Sequence, residues 1–495
     1  MLGAIVLAAT VTRVTGFTTT TGYQPRGQVI QASDGNFYGT TSVGGDDGSG
    51  CVHGCGGTVF KLTPQGALTV LHTFDWGTAA EPFWNGKSPR GGLVEGPDGW
   101  LYGTTYEGSA LHPIYGTVYK ISKAGQFQKI HDFCPATPCP DGANPEGSLV
   151  LAGDDYFYGT TTAPITAPRI FRISPTGTYQ VVANLFNLAM GTPANGLVQA
   201  SDGNLYGVTS AGIYRLTTGG AFTILYKFGT QPSDGSSGYG PLVEGSDGNL
   251  YGVTVQGGLN GVGTVFKISK SGTYQKIHDT VTASEGLYPE GVLQASDGNL
   301  WGMTSNAGPA TTGGDVVAVN TSGVLQQATA MDNQTGKGSI SKLFQASDGR
   351  LYGTAVLSGP DAGGTVFVVD AGLGPPSPGE AGELGNDQMV VTAYSKPTGD
   401  VTIAYGAACS ATDHHVIWGL LSNVATYAYT GQACNLGTTG SATFNPGTGN
   451  TFWVLVGNTP VLEGSYGRGV GGAERPQQAG LPGCAYAQNL AASCP

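Results

Sequence analysis

The chain has 495 residues, 84 of them glycine, with only 11% charged residues and a formal net charge of −12. With no Lys/Arg cluster, this balance excludes nucleic acid as a partner and disfavours anionic membrane surfaces, since both need a basic stripe. The glycine is spread through turns between short apolar runs, which is the composition of an all-β protein and not of a disordered one.

The first residues, "MLGAIVLAAT", are apolar but short and lack a basic flank. They read either as a remnant of a signal peptide or as the lead into a first strand, "TVTRVTGF" at 10–17. No segment reaches the length of a transmembrane span. From Ser33 the chain repeats itself. "SDGNFYG" at Ser33–Gly39 returns as PDGWLYG from Pro97, GDDYFYG from Gly153, SDGNLYG from Ser201 and Ser246, SDGNLWG from Ser296 and SDGRLYG from Ser347. Seven copies spaced by 45–64 residues indicate a repeat architecture.

One copy spells out four strands. In the second, "GGLVEG" is turned by "PDG" into "WLYGTT", and "GTVYKIS" is turned by "KAG" into "QFQKIHDF". Asp-Gly between apolar runs is a strong hairpin signal, because glycine accepts the positive φ of the turn. We name these strands A to D from the inside outward. Four strands in each of seven repeats predict a seven-bladed β-propeller over residues 1–373. The aromatic after each A–B turn is expected to pack between blades, and His72, His131 and His278 share a structural position in strand D. The seventh copy has no strand D; after Asp370 it runs into "AGLGPPSPGE". The stretch 10–17 resembles the D strands "TYQKIHD" and "LTVLHTF", so the N-terminal strand is expected to complete blade 7 and cover its edge.

The frame G-L-V-x-x-x-D-G-N-L-Y-G-T-T … G-T-V-F-K-I … G, nearly complete at 240–272, resembles the bacterial choice-of-anchor tandem-repeat GloVer-containing proteins over roughly residues 20–370. The third copy departs from it, with Asp154-Asp155-Tyr156 at the turn and Ile170-Phe171-Arg172 in strand C. The resemblance implies an exported propeller with a variable C-terminal attachment or sorting region, and no established reaction. "DGNLWG" is also similar to streptogramin-lyase-type propellers. The chain has no His-x-Glu-x-His-like group, so that chemistry is not carried over.

Residues 374–387 are a Pro/Gly-rich linker. Beyond it, runs such as "DVTIAYGA", "HVIWGLL" and "TFWVLVGN" predict an immunoglobulin- or fibronectin-like β-sandwich over 388–495, whose ending resembles a C-terminal module of many secreted bacterial proteins. The eight cysteines fall into neighbouring pairs, Cys51/Cys55, Cys134/Cys139, Cys409/Cys434 and Cys484/Cys494, which suggests disulfides and an extracytoplasmic, secreted or cell-surface location. Cys51-Val-His53-Gly-Cys55 is the one foothold for zinc, but it lacks an evident fourth ligand, so neither metal nor cofactor is expected.

Familiar catalytic signatures are missing. The informative signal is loop length: in blades 1 to 3 the B–C and D–A connections are long, at 42–56, 75–88, 106–115 and 134–144. They carry Asp46, Asp47, His53, Asp75, Trp76, Glu81, Phe83, Trp84, Tyr106, Glu107, His112 and Tyr115. Aromatics beside carboxylates suit a sugar, with Trp76, Phe83, Trp84, Tyr106 and Tyr115 as the ligand-binding set. Trp76, Phe83 and Trp84 could equally staple the loop to the ring. Three functions compete: a protein binding a polysaccharide or cell-envelope component, an enzyme of polysaccharides, and a structural subunit of a surface layer or fibre. A lyase would use His112, His53 or a Tyr as base, with Lys87, Arg90 or Arg169 against the sugar carboxylate. A glycosidase would draw its two carboxylates from Asp75, Glu81 and Glu107.

Overall fold

The computed structural model describes residues 9–373 apart from 46–55, 75–84, 109–113, 137–138, 163–167, 186–189, 282–284, 307–312, 339–340, 358 and 360–361, and beyond 389 only the strands. The propeller is present: seven four-stranded antiparallel sheets. Blade 2 is typical, with strand A at Val94–Glu95, B at Leu101–Thr105, C at Thr117–Ile121 and D at Phe127–Asp132.

Blade 7 is closed by the other end of the chain. Thr10–Gly16 pairs antiparallel with Thr365–Asp370, Thr10 opposite Asp370 and Gly16 opposite Thr365. A shared irregularity identifies this strand as a true strand D. Its register skips Val14, just as strand D skips Leu71, Ile130, Val182, Leu225 and Ile277 in blades 1 to 5. Each such bulge re-aims one carbonyl. The C–D turn of the following blade rests on it: a Cβ on Gly125 (φ +91°) would lie 3.0 Å from the Leu71 oxygen, and one on Gly66 (φ +90°) 3.4 Å from that of Val14. The blade 1 turn thus meets the N-terminal strand as every other turn meets its predecessor.

The hydrophobic cores lie between blades. Tyr38 of blade 1 clusters with Leu93, Leu101 and Tyr119 of blade 2, and Trp301 of blade 6 with Leu351 and Phe367 of blade 7. Ring centroids of Tyr102 and Phe157 are 4.0 Å apart, and those of Phe37 and Tyr352, across the closure, 4.3 Å. Burying one such side chain stabilises the fold by roughly 1.5–3 kcal/mol. The glycine after the aromatic is steric in origin: a Cβ on Gly39 would sit 2.5 Å from the Phe60 ring of strand C.

The same aromatic has a polar role that the sequence reading missed. The hydroxyls of Tyr38, Tyr102, Tyr158, Tyr206 and Tyr251 donate to the turn aspartates Asp34, Asp98, Asp154, Asp202 and Asp247 at 2.7–2.8 Å, and the Trp301 Nε1–H reaches Asp297 at 3.1 Å. The turn Asn adds both its backbone N–H and its side-chain amide, as Asn204 does to Asp202 at 3.1 and 2.9 Å. Burial raises the pKa of Asp202, but the hydrogen bonds from Asn204 and Tyr206 outweigh it and hold the carboxylate below its ordinary range. Asp34 and Asp247 behave alike.

Turns are clasped to the next blade as well. The Ser33 N–H donates to Glu95 at 2.8 Å, Gly153 to Gln199 at 2.9 Å, Ser201 to Glu244 at 2.6 Å, Ser246 to Gln294 at 2.7 Å and Ser296 to Gln345 at 3.0 Å. At the blade 2 to blade 3 junction the donor position is Pro97, without an N–H, and the acceptor position is Leu151, so both partners are absent together. The threonines complete the frame. Thr40 bonds the Gly91 carbonyl of the next blade at 2.9 Å, and Thr41 pairs with Thr58 of strand C at 2.8 Å.

The chain divides into two compact units, 1–346 with 350–373, and 374–495 with 347–349. The second contains a three-stranded sheet (Val390–Ser395, Asp400–Tyr405, Gly440–Phe444) and a five-stranded one (Gly431–Ala433, Asp413–Leu420, Thr451–Asn458, Leu462–Glu463, Ala487–Gln488). Cys409, Cys434, Cys484 and Cys494 lie outside the described residues.

Two outcomes follow from these contacts. Deleting residues 1–16 leaves blade 7 one strand short, and the melting temperature of the truncated protein should fall sharply; an unchanged thermal unfolding curve would refute closure by this strand. The turn aspartates predict acid sensitivity. The folded pKa values of Asp34, Asp202 and Asp247 are depressed, so the stability these three add is present above the unfolded value of about 3.9 and is lost as pH falls through the folded values. Denaturant titrations at pH 7 and pH 3 should show Asp202→Asn less stable than wild type at neutrality, with a smaller loss on acidification; an equal acid loss would contradict this role.

Candidate functional site

The repeated frame keeps little chemistry in reserve: its Asp, Asn, Tyr, Thr and turn amides bond one another or the next blade. The D-strand histidines are similarly occupied. His131 stacks on Tyr179 of the next blade (4.1 Å) and its Nε2 lies 3.0 Å from Asp141, while His278 Nε2 lies 2.7 Å from Glu285. His72 stacks on Phe127 at 4.0 Å, and burial pulls its pKa down to about 4, so it is neutral at physiological pH. Chemistry that distinguishes one ligand must therefore come from positions where the copies differ.

One such place is the face carrying the B–C and D–A connections. Lys87 and Glu107, from a D–A and a B–C loop, form an antiparallel bridge through their backbones and an ion pair at 2.7 Å. Tyr106 lies beneath the Arg90 guanidinium, 3.5 Å from the ring centroid, and Arg90 also contacts Glu146 at 2.9 Å. Tyr115 is partly buried against the core shared by blades 2 and 3. Of the predicted residues, Tyr106 and Glu107 thus stand together with Lys87 and Arg90, and the Glu107 carboxylate is already engaged by a cation. Asp46, Asp47, Cys51, His53, Cys55, Asp75, Trp76, Glu81, Phe83, Trp84 and His112 lie outside the described residues. Arg169, in strand C of blade 3, keeps its Nε buried without a hydrogen-bond partner among the described residues.

The D–A loop between blades 2 and 3 is fixed by several contacts. Cys134 and Cys139 form a disulfide. Asp141 accepts from the Cys134 N–H at 3.0 Å, and the Tyr179 hydroxyl donates to its carbonyl at 2.6 Å. The Asn144 amide donates to the carbonyls of Tyr106 (2.9 Å) and Ile114 (2.6 Å), holding both ends of the neighbouring B–C loop. Among the described residues no group of three or more His, Cys, Asp or Glu side chains could hold a metal ion, and no helix is long and apolar enough to cross a membrane.

The second variable place is the ring axis. Residues just ahead of strand A in blades 1, 2, 3 and 7, and within strand A in blades 5 and 6, line a cavity of about 60 Å³, bounded by Arg26, Arg90, Glu146, Tyr239, Glu290 and Lys342. Apart from Arg90, sequence reasoning passed over them. The usable signal was the variable stretch six to eight residues before each turn aspartate, which supplies Arg26, Arg90, Glu146, Tyr239, Glu290 and Lys342 while the strand after it barely changes.

Seven blades around a charged axial cavity define a β-propeller with its variable chemistry on one face and at the axis. The chain belongs to the Gloeobacter/Verrucomicrobia repeat family, whose model matches residues 5–213 and 212–375 in tandem. No curated protein matches the sequence. Among solved structures, a catalytically inactive variant of virginiamycin B lyase from Staphylococcus aureus with quinupristin is similar at 15% identity and a TM-score of 0.50, over 73% of this chain and 99% of that one. The extracellular domain of a hybrid two-component system from B. thetaiotaomicron is similar at 12% identity and a TM-score of 0.47, over 79% of this chain and 46% of that one. PorZ, a surface component of the type-IX secretion system of Porphyromonas gingivalis, is similar at 14% identity and a TM-score of 0.44, over 86% of this chain and 57% of that one. At these identities the likeness concerns the fold alone.

The disulfide predicts a mass change. Reducing the intact protein should add two hydrogens for Cys134–Cys139, and eight if the other three pairs expected from the sequence are also bonded; mass spectrometry that finds no gain on reduction would overturn the bond.

Proposed function

We propose that the chain is an extracytoplasmic binding or surface protein whose propeller, residues 1–373, recognises a polysaccharide or another cell-envelope component on the loop face of blades 1 to 3. Residues 374–387 serve as a linker and 388–495 as an accessory immunoglobulin/fibronectin-like β-sandwich. The observation that carries the reading is the division of labour within the ring. The repeated polar groups are consumed by folding, whereas the loop face differs from blade to blade and presents aromatic and charged groups together, as Arg90 over Tyr106 does. Trp76 and Trp84, in the connection 75–88 of the sequence, are the aromatics to which this reading assigns sugar stacking.

The purified protein should bind at least one member of a polysaccharide panel without releasing reducing or unsaturated ends. Trp76→Ala and Trp84→Ala should weaken that binding, each by about 1–3 kcal/mol, and leave the melting temperature unchanged. Tyr206→Ala, in an inter-blade core, should instead lower stability by roughly 3 kcal/mol or more. Product release would replace a binding protein with an enzyme. Normal binding by both tryptophan variants would remove the loop face as the site.

A further inference from the structure

The axial cavity has an unusual balance of charge. In a chain with 33 acidic and 21 basic residues, three cations converge here: Arg26 from blade 1, Arg90 from blade 2 and Lys342 from blade 7. The backbone brings them close. Small residues at the next position let neighbouring blades touch at the axis; a Cβ on Gly27 would lie 2.6 Å from the Gly91 carbonyl, and one on Gly91 2.6 Å from that of Gly147.

The carboxylates nearby do not cancel these cations. Glu146 is committed to Arg90 at 2.9 Å. Arg26 has only the neutral Gln24 side chain as a hydrogen-bond acceptor, at 3.3 Å, and burial followed by the neighbouring charge of Arg90 lowers its pKa against the weaker opposing charge of Glu146. Lys342 is half-buried, lines the cavity, and makes no hydrogen bond or ion pair to a described residue. Burial draws its pKa down to about 8. Glu290 stands where blades 1, 2, 3 and 5 have glycine and is itself buried; its pKa is pushed up to about 7, so near neutrality it is only partly charged. With Glu290 ionised the five groups sum to one positive charge, and with it protonated to two. A buried, uncompensated cation is costly, and a bound anion removes that cost.

We propose that the ring axis is a binding site for the carboxylate of a small acidic sugar, held by Arg26 and Lys342 with Arg90 behind them and Tyr239 beside the ring. A surplus of one charge suits a single carboxylate, and the guanidinium fork matches its two oxygens. A cavity of about 60 Å³ accommodates that group while the rest of the sugar points to the cavity mouth. The site shares Arg90 with the loop face but binds through Arg26 and Lys342, whose substitution tests it apart from the loop tryptophans.

The test is isothermal titration of the full chain at pH 7 with glucuronate, galacturonate, glucose and inorganic phosphate. A uronate should bind saturably and glucose should not. Arg26→Gln and Lys342→Met should each weaken uronate binding roughly tenfold or more. Glu290→Gln should tighten it. Lys342→Met should also melt no lower than wild type, because it removes a buried unpaired charge; a merely structural lysine would destabilise on removal. If that variant does not fold, Arg26→Gln decides. Absence of uronate binding, equal binding of glucose, or normal binding by Arg26→Gln overturns the site. Phosphate binding tighter than uronate overturns the carboxylate assignment.

Discussion

The ring depends on one recurring bond: in blades 1, 3, 4, 5 and 6 the turn amide finds its acceptor at the end of strand A in the next blade. A four-stranded blade cannot bury its own faces or satisfy its own turn, so each blade is finished by its neighbour. Ser33 with Glu95 and Ser201 with Glu244 show the bond with a carboxylate, to which Lys123 and Lys270 are then drawn. Pro97 with Leu151 shows the converse. Where the donor is missing the acceptor is missing too, which leaves neither group buried and unsatisfied.

Closure follows from the same requirement. A ring assembled from incomplete units has no free edge only if its last junction resembles the others. The N-terminal strand meets that condition down to the bulge at Val14, which offers the Gly66 turn the carbonyl contact that Leu71 offers Gly125. The inter-blade cores make the same point in apolar terms, because the Tyr352–Phe37 contact across the closure is of the kind found at Tyr102–Phe157.

This economy determines where recognition can reside. Residues common to all blades are held in place by their neighbours and are poor candidates for selecting a ligand. Differences are tolerated where blades do not depend on one another, in the outer loops and at the axis. Arg90 joins the two places, with its guanidinium against Tyr106 on one side and Glu146 on the other.

Much of the fold was legible in the sequence because it is local and repeated. Asp-Gly turns, period-two alternation and the recurrence of Gly-Thr-Val-Phe specify four strands per unit, and the absent strand D after Asp370 pointed to the N-terminus. Spacing along the chain also marked blades 1 to 3 as the ones with long loops. It did not reveal that Glu107 would pair with Lys87, or that Tyr106 would lie under Arg90, since those partners come from different connections. The axial cluster was the least visible. Arg26, Glu290 and Lys342 are separated by up to 316 positions and are brought together only when the ring closes. Their burial, and with it the displaced pKa values of Glu290 and Lys342, is a property of the closed circle of backbones and of no single repeat.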